Sequence, residues 1–115
     1  MTQPARLSPH TAKQWHAAAL EHLANDRIED AVRCLRHAVA LDPRAADAWN
    51  DLGVVLEALG NRRDAVHCYQ QALRTRPGMK EAVRNLMALA MQSSLAAPTV
   101  LAPPVSARAA TAVAR

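Results

Sequence analysis

Phenylalanine is absent from this chain of 115 residues, and two Trp and one Tyr are its only aromatic side chains. Half of the residues are nonetheless apolar, supplied chiefly by Ala, Leu and Val. Strands favour aromatic and β-branched residues, whereas Ala and Leu are the strongest apolar helix formers, so this poverty argues for an all-helical fold. Glycine is also scarce. Gly53, Gly60 and Gly78 stand alone and cannot form a phosphate-cradling loop. Cysteine is limited to Cys34 and Cys68, and one disulfide in a chain without a signal peptide is not expected. Met1 to His16 holds no apolar run of signal-peptide length, and no stretch approaches the roughly eighteen apolar residues of a membrane span. The expectation is a cytoplasmic protein with no membrane contact.

Net charge is +4, which raises an acidic partner such as nucleic acid. Its distribution weakens that reading. Between Ala12 and Gln92 eleven Lys or Arg face ten Asp or Glu, and Arg6, Arg108 and Arg115 carry most of the excess outside. After Gln92 the chain turns to Ala, Pro, Ser, Thr and Val without a single acid, a composition that builds no core of its own. The spacing divides the chain into an N-terminal arm over 1–8, a helical domain over 9–93 and a flexible tail over 94–115.

Sliding the sequence along itself until Trp15 meets Trp49 also superposes Asp30 on Asp64, Ala31 on Ala65, Val32 on Val66, Cys34 on Cys68, Ala38 on Ala72 and Pro43 on Pro77. Ala12 with Ala46 and Ala24 with Ala58 complete nine identities, enough to read the chain as an internal repeat. Each unit holds two amphipathic segments. Ala48, Trp49, Leu52, Val55, Leu56 and Leu59 recur at three- and four-residue steps before Gly60, and Ala65, Cys68, Tyr69, Ala72 and Leu73 do so before Pro77. Five helices are expected, near 9–24, 28–41, 45–59, 62–75 and 79–93, the first capped by Ser8 ahead of Pro9.

The run Trp49-x-x-Leu52-Gly53-x-x-Leu56, followed by Ala65-x-x-x-Tyr69, Ala72 and Pro77, resembles the tetratricopeptide repeat signature in residue types and in period. The first unit matches more weakly, with Ala18 and Ala19 for Leu-Gly, His22 for the aromatic and Leu35 for Phe. A third unit begins at Lys80 but has only its first helix. The resemblance implies an all-α, right-handed solenoid of helical hairpins, about two and a half repeats (12–45, 46–79 and a capping helix over 80–93), of the small bacterial type. It implies a non-enzymatic adaptor with no cofactor, binding an extended peptide segment of another protein in a concave groove. Two further readings stand beside it: a substrate-docking accessory of an enzyme system such as a glycosyltransferase, and nucleic-acid binding through Arg33, Arg36, Arg62, Arg63 and Arg74 on the convex side. Nucleic acid is not expected, because Trp15, Trp49 and Tyr69 are assigned to the core rather than to base stacking.

In this family the first helix of each unit lines the groove. That assigns Lys13, His16, Leu20, Asp47, Asn50, Asp51, Val54, Glu57, Glu81, Arg84, Asn85 and Ala88 to it, with simple solvation of helix faces as the competing reading. Asp51 and Asn85 stand where long arrays of the family present an Asn ladder to a peptide backbone, and Ala17 interrupts that ladder in the first unit. Asn50, Asp51, Arg84 and Asn85 are expected to hold a neutral to basic segment. Carboxylate-clamp members need basic residues or Asn where this chain has His16, Leu20 and Glu81, so that variant is not reproduced.

Cys34, His37 and Cys68 invite comparison with a metal site, but Gln71 occupies the position of a fourth ligand, and buried thiols are expected instead. The last helix sets a different expectation. Leu86, Met87, Ala88, Leu89, Ala90 and Met91 surround it with apolar groups, so Leu89 with Met87 or Met91 should stay exposed and support a homodimer, against the alternative of a monomer that tolerates the patch.

Overall fold

The computed structural model describes residues 10–95 and places five helices there: α1 (Ala12–Ala24), α2 (Ile28–Leu41), α3 (Ala46–Ala58), α4 (Arg62–Thr75) and α5 (Lys80–Leu95). The fold is all-α, a solenoid of helical hairpins, with no strand among the described residues. The proposed N-terminal arm and all of the proposed tail beyond Leu95 lie outside them.

The first helix starts later than Ser8 and Pro9 suggested. Thr11 is its N-cap: the Thr11 hydroxyl accepts from Gln14 N–H while Gln14 Oε1 accepts from Thr11 N–H, a complete capping box. His10 and Thr11 are not helical, and Ser8 and Pro9 lie outside the described residues. Asn61 caps α4 through Asp64 N–H, whereas α2 begins with no side-chain cap and carries Glu29 and Asp30 in its first turn, where acids favour the helix dipole.

Both hairpin turns use one device. After α3, Gly60 adopts φ 86°, Gly60 N–H reaches Glu57 O and Asn61 N–H reaches Leu56 O, the paired bonds of a Schellman stop. After α1, Asp26 at φ 60° does the same, with its N–H on Leu23 O and Arg27 N–H on His22 O. Asp26 and Gly60 are separated by the same offset as Trp15 and Trp49, so the backbone repeats with the sequence.

The main core runs through Ala19, Leu23, Ala31, Leu35, Ala38, Leu52, Val55, Ala65, Tyr69 and Leu89, and a smaller cluster gathers Ala46, Ala72, Met79 and Ala82. Trp49 packs on both clusters and anchors its indole N–H on Pro43 O at 2.9 Å. Trp15, its counterpart, stacks on His37 with ring centroids 4.4 Å apart. Within the hairpins α1 lies on α2 and α3 on α4; α2 on α3 and α4 on α5 join them in sequence order. Each element touches mainly its neighbours, the arrangement expected of a repeat stack.

Candidate groove on the first helices

The twelve groove candidates divide into two sets. Lys13, Asp47, Glu81 and Arg84 are exposed, and His16, Glu57 and Ala88 are half-buried. Leu20, Asn50, Asp51, Val54 and Asn85 are buried, so they cannot line an open groove in this conformation. Asn50, Asp51 and Asn85 are buried where neighbouring first helices approach, and Leu20 and Val54 turn into the main core.

The buried polar members pair across the repeats. His16 Nε2 donates to Asp51 Oδ2 at 2.7 Å, and Asn85 Nδ2 donates to Asn50 Oδ1 at 3.0 Å. Each bond spans 35 residues, one repeat plus one position. The expected peptide-binding ladder is therefore an internal one: Asp51 and Asn85 receive and give hydrogen bonds inside the solenoid. Ala17, at the matching position of α1, is exposed and has no hydrogen-bonding side chain. Arg84 occupies the matching position at the other end and is exposed.

The accessible part of the face is a depression of about 290 Å³ where α1, the α2–α3 loop and α3 meet the end of α4. Lys13, His16 and Asp47 reach it from the groove set, and Asp42, Arg44 and Arg76 complete its polar lining. Arg76 Nη1 donates to Asp47 Oδ1 at 3.1 Å across 29 residues, and Arg44 N–H donates to Asp42 Oδ1 at 3.1 Å. Sequence reasoning missed Asp42, Arg44 and Arg76 because they belong to the inter-repeat turns. Their one signal was position: each adjoins Pro43 or Pro77, where the chain passes from a second helix to the next first helix.

Glu57 sits at the opposite end of α3, accepting from Tyr69 Oη at 2.8 Å. Burial pushes its carboxyl above the ordinary value, opposed by the Tyr69 hydrogen bond and by Arg62. The Tyr69 hydroxyl is also pushed up, first by burial and then by the Glu57 charge. The thiols are inert by the same logic. Both are buried and unpaired with one another; burial raises Cys34, and raises Cys68 to about 12, so neither offers a nucleophilic thiolate near neutrality. His37 is exposed against Trp15 rather than aimed at Cys34. The arginines assigned to the convex side, Arg33, Arg36, Arg62, Arg63 and Arg74, are not among the buried residues, and Arg33 pairs with Asp30.

The last helix departs from expectation at one residue. Leu89 is 2% exposed and belongs to the main core, whereas Met87 and Met91 are each 59% exposed. Leu89 falls one repeat after Val55, and Ala82, Asn85 and Leu89 form the inward face of α5 as Ala48, Asp51 and Val55 do for α3. Leu89 therefore leaves the proposed self-association surface. Among the described residues, no helix is long and apolar enough to cross a membrane.

Two family models described as tetratricopeptide repeat match this chain, one over residues 16–61 and the other over residues 46–79. Together they cover more than half of it. Twelve chains of solved structures match as well. Among them is the crystal structure of MamA, with a TM-score of 0.73 and 24% identity over 77% of this chain. The present chain spans 52% of the length of that one, and the likeness is one of fold. Comparison with curated proteins returns no match.

Proposed function

This chain belongs to the tetratricopeptide repeat family, whose repeats are protein–protein interaction modules, and we propose that it is a non-enzymatic adaptor holding an extended segment of another protein along its first helices. The observation that carries this reading is the open depression where Lys13, His16 and Asp47 converge with Asp42, Arg44 and Arg76. Side-chain groups of both signs meet there, and Glu81 and Arg84 are exposed on the next first helix, α5. Lys13, Arg44 and Arg76 face Asp42 and Asp47 in its lining, so the depression favours a neutral to mildly acidic segment with both charges over a strongly basic one. The buried Asn50, Asp51 and Asn85 act behind this surface by fixing the spacing of the helices that form it.

Photo-crosslinking tests the proposal. A photoreactive residue replacing Asp47 or Glu81 is expected to capture a partner protein, and one replacing Arg33 on α2 is not. Lys13→Glu together with Arg44→Glu should abolish capture from position 81 while leaving the helical circular dichroism unchanged. Equal capture from position 33 would move the binding face to the second helices.

A further inference from the structure

Helix α5 carries an exposed apolar stripe that no described element covers. Val83, Met87 and Met91 follow one another at four-residue steps, 38%, 59% and 59% exposed. Beside the stripe, a groove of about 370 Å³ runs between α4 and α5, lined by Val66, Leu86, Leu89 and Ala90 and flanked by Arg62, Arg63 and Gln70. In the preceding repeat the corresponding flank of α3, formed by Trp49, Leu52, Gly53 and Leu56, is covered by α4. The α5 flank is the same surface without its second helix.

We propose that a second copy of this chain covers it, α5 packing antiparallel on α5 across a twofold axis at Met87. The sequence disfavours the obvious intramolecular occupant. The repeat register would assign a covering helix to residues 96–109, yet Pro103 and Pro104 fall in its middle, and a helix-interior Pro costs about 3 kcal/mol. Met87 also stands where Gly53 makes room for Tyr69, so a helix packed at the α3–α4 distance would meet a long side chain.

A second α5 fits the exposed stripe. With Met87 opposite Met87, the four-residue stripe brings Val83 of one copy against Met91 of the other, and Met side chains adapt to such contacts. The N-terminal half of α4 lies beside the C-terminal half of α5, since Arg62 Nη2 donates to Leu89 O at 3.3 Å.

Sedimentation equilibrium on the full chain across micromolar to millimolar concentration tests this, the monomer mass being 12.4 kDa. Wild type is expected to approach twice that mass. Met87→Glu, a change at an exposed site, should weaken association by about tenfold or more while leaving the circular dichroism intact. Met91→Glu should weaken it comparably, because the axis sets Met91 of one copy against Val83 of the other. A constant 12.4 kDa, a dimer indifferent to Met87→Glu, or a dimer lost on removal of residues 97–115 would each overturn the proposal.

Discussion

Tyr69 lies fully buried against a position with no room for a side chain: a Cβ on Gly53 would stand 2.6 Å from Tyr69 Cε1 and 2.8 Å from Cδ1. The first repeat solves the same packing problem with different residues. There Ala19 replaces the glycine and Leu35 the tyrosine, and Leu23 stands where Glu57 meets the phenol. Gly53→Ala is accordingly expected to cost about 1–3 kcal/mol through overpacking, and Tyr69→Leu in the Gly53→Ala background to recover part of that loss, measured by urea unfolding. Additive losses in the double variant would show that the two positions are not coupled. Glu57 yields a prediction about pH. Burial raises its carboxyl above the ordinary 4.5, so the folded state holds its proton more tightly than the unfolded one. That favourable contribution exists at acid pH and is lost as pH rises through the raised value. Glu57→Gln keeps an acceptor for Tyr69 and never ionises, so it should melt higher than wild type at pH 7, the gap closing as pH falls toward about 4. A gap that widens toward acid would reverse the assigned cause.

Helices and turns recur here because the backbone needs the same few conformations in every repeat, even where the residues differ. Gly60 shows the requirement openly. Its φ of 86° suits glycine, and nothing lies within 4 Å of a Cβ built there, so Gly60→Ala should destabilise by about 1 kcal/mol from backbone strain alone. Gly60→Asp should cost less, since Asp tolerates left-handed backbone and Asp26 already holds the equivalent place. Thermal melts of the two variants check the order, and an Ala variant as stable as wild type would contradict it. The helices were legible from sequence because their apolar steps, Gly60 and the two closing prolines are local signals. The start of α1 was not: the sequence pointed to Ser8-Pro9, whereas the reciprocal bonds of Thr11 and Gln14 put the cap at Thr11.

In the whole solenoid the two rungs, His16 with Asp51 and Asn50 with Asn85, tie each first helix to the next. Sequence alone could place these residues on the right helices and the right face, but not assign them partners, since each partner lies one repeat away and its burial depends on how closely the helices stack. The same limitation hid Leu89, whose inward direction follows from its register with Val55 and is obscured locally by apolar neighbours on every side. The rungs differ in consequence. His16 belongs to a complete hairpin, whereas α5 is held only by α4 and α3 and has no described second helix of its own. In a stack whose stability is a sum of nearest-neighbour terms, loss of a terminal contact frees the terminal element first. Asn85→Ala removes the donor to Asn50 Oδ1 and leaves that buried acceptor without this bond, a change of about 1–3 kcal/mol. Hydrogen exchange should therefore accelerate by about fivefold or more along α5, and change far less in α1 and α2. Uniform acceleration across all five helices would mean that α5 and the two hairpins open together, with the Asn50–Asn85 rung supporting the entire stack.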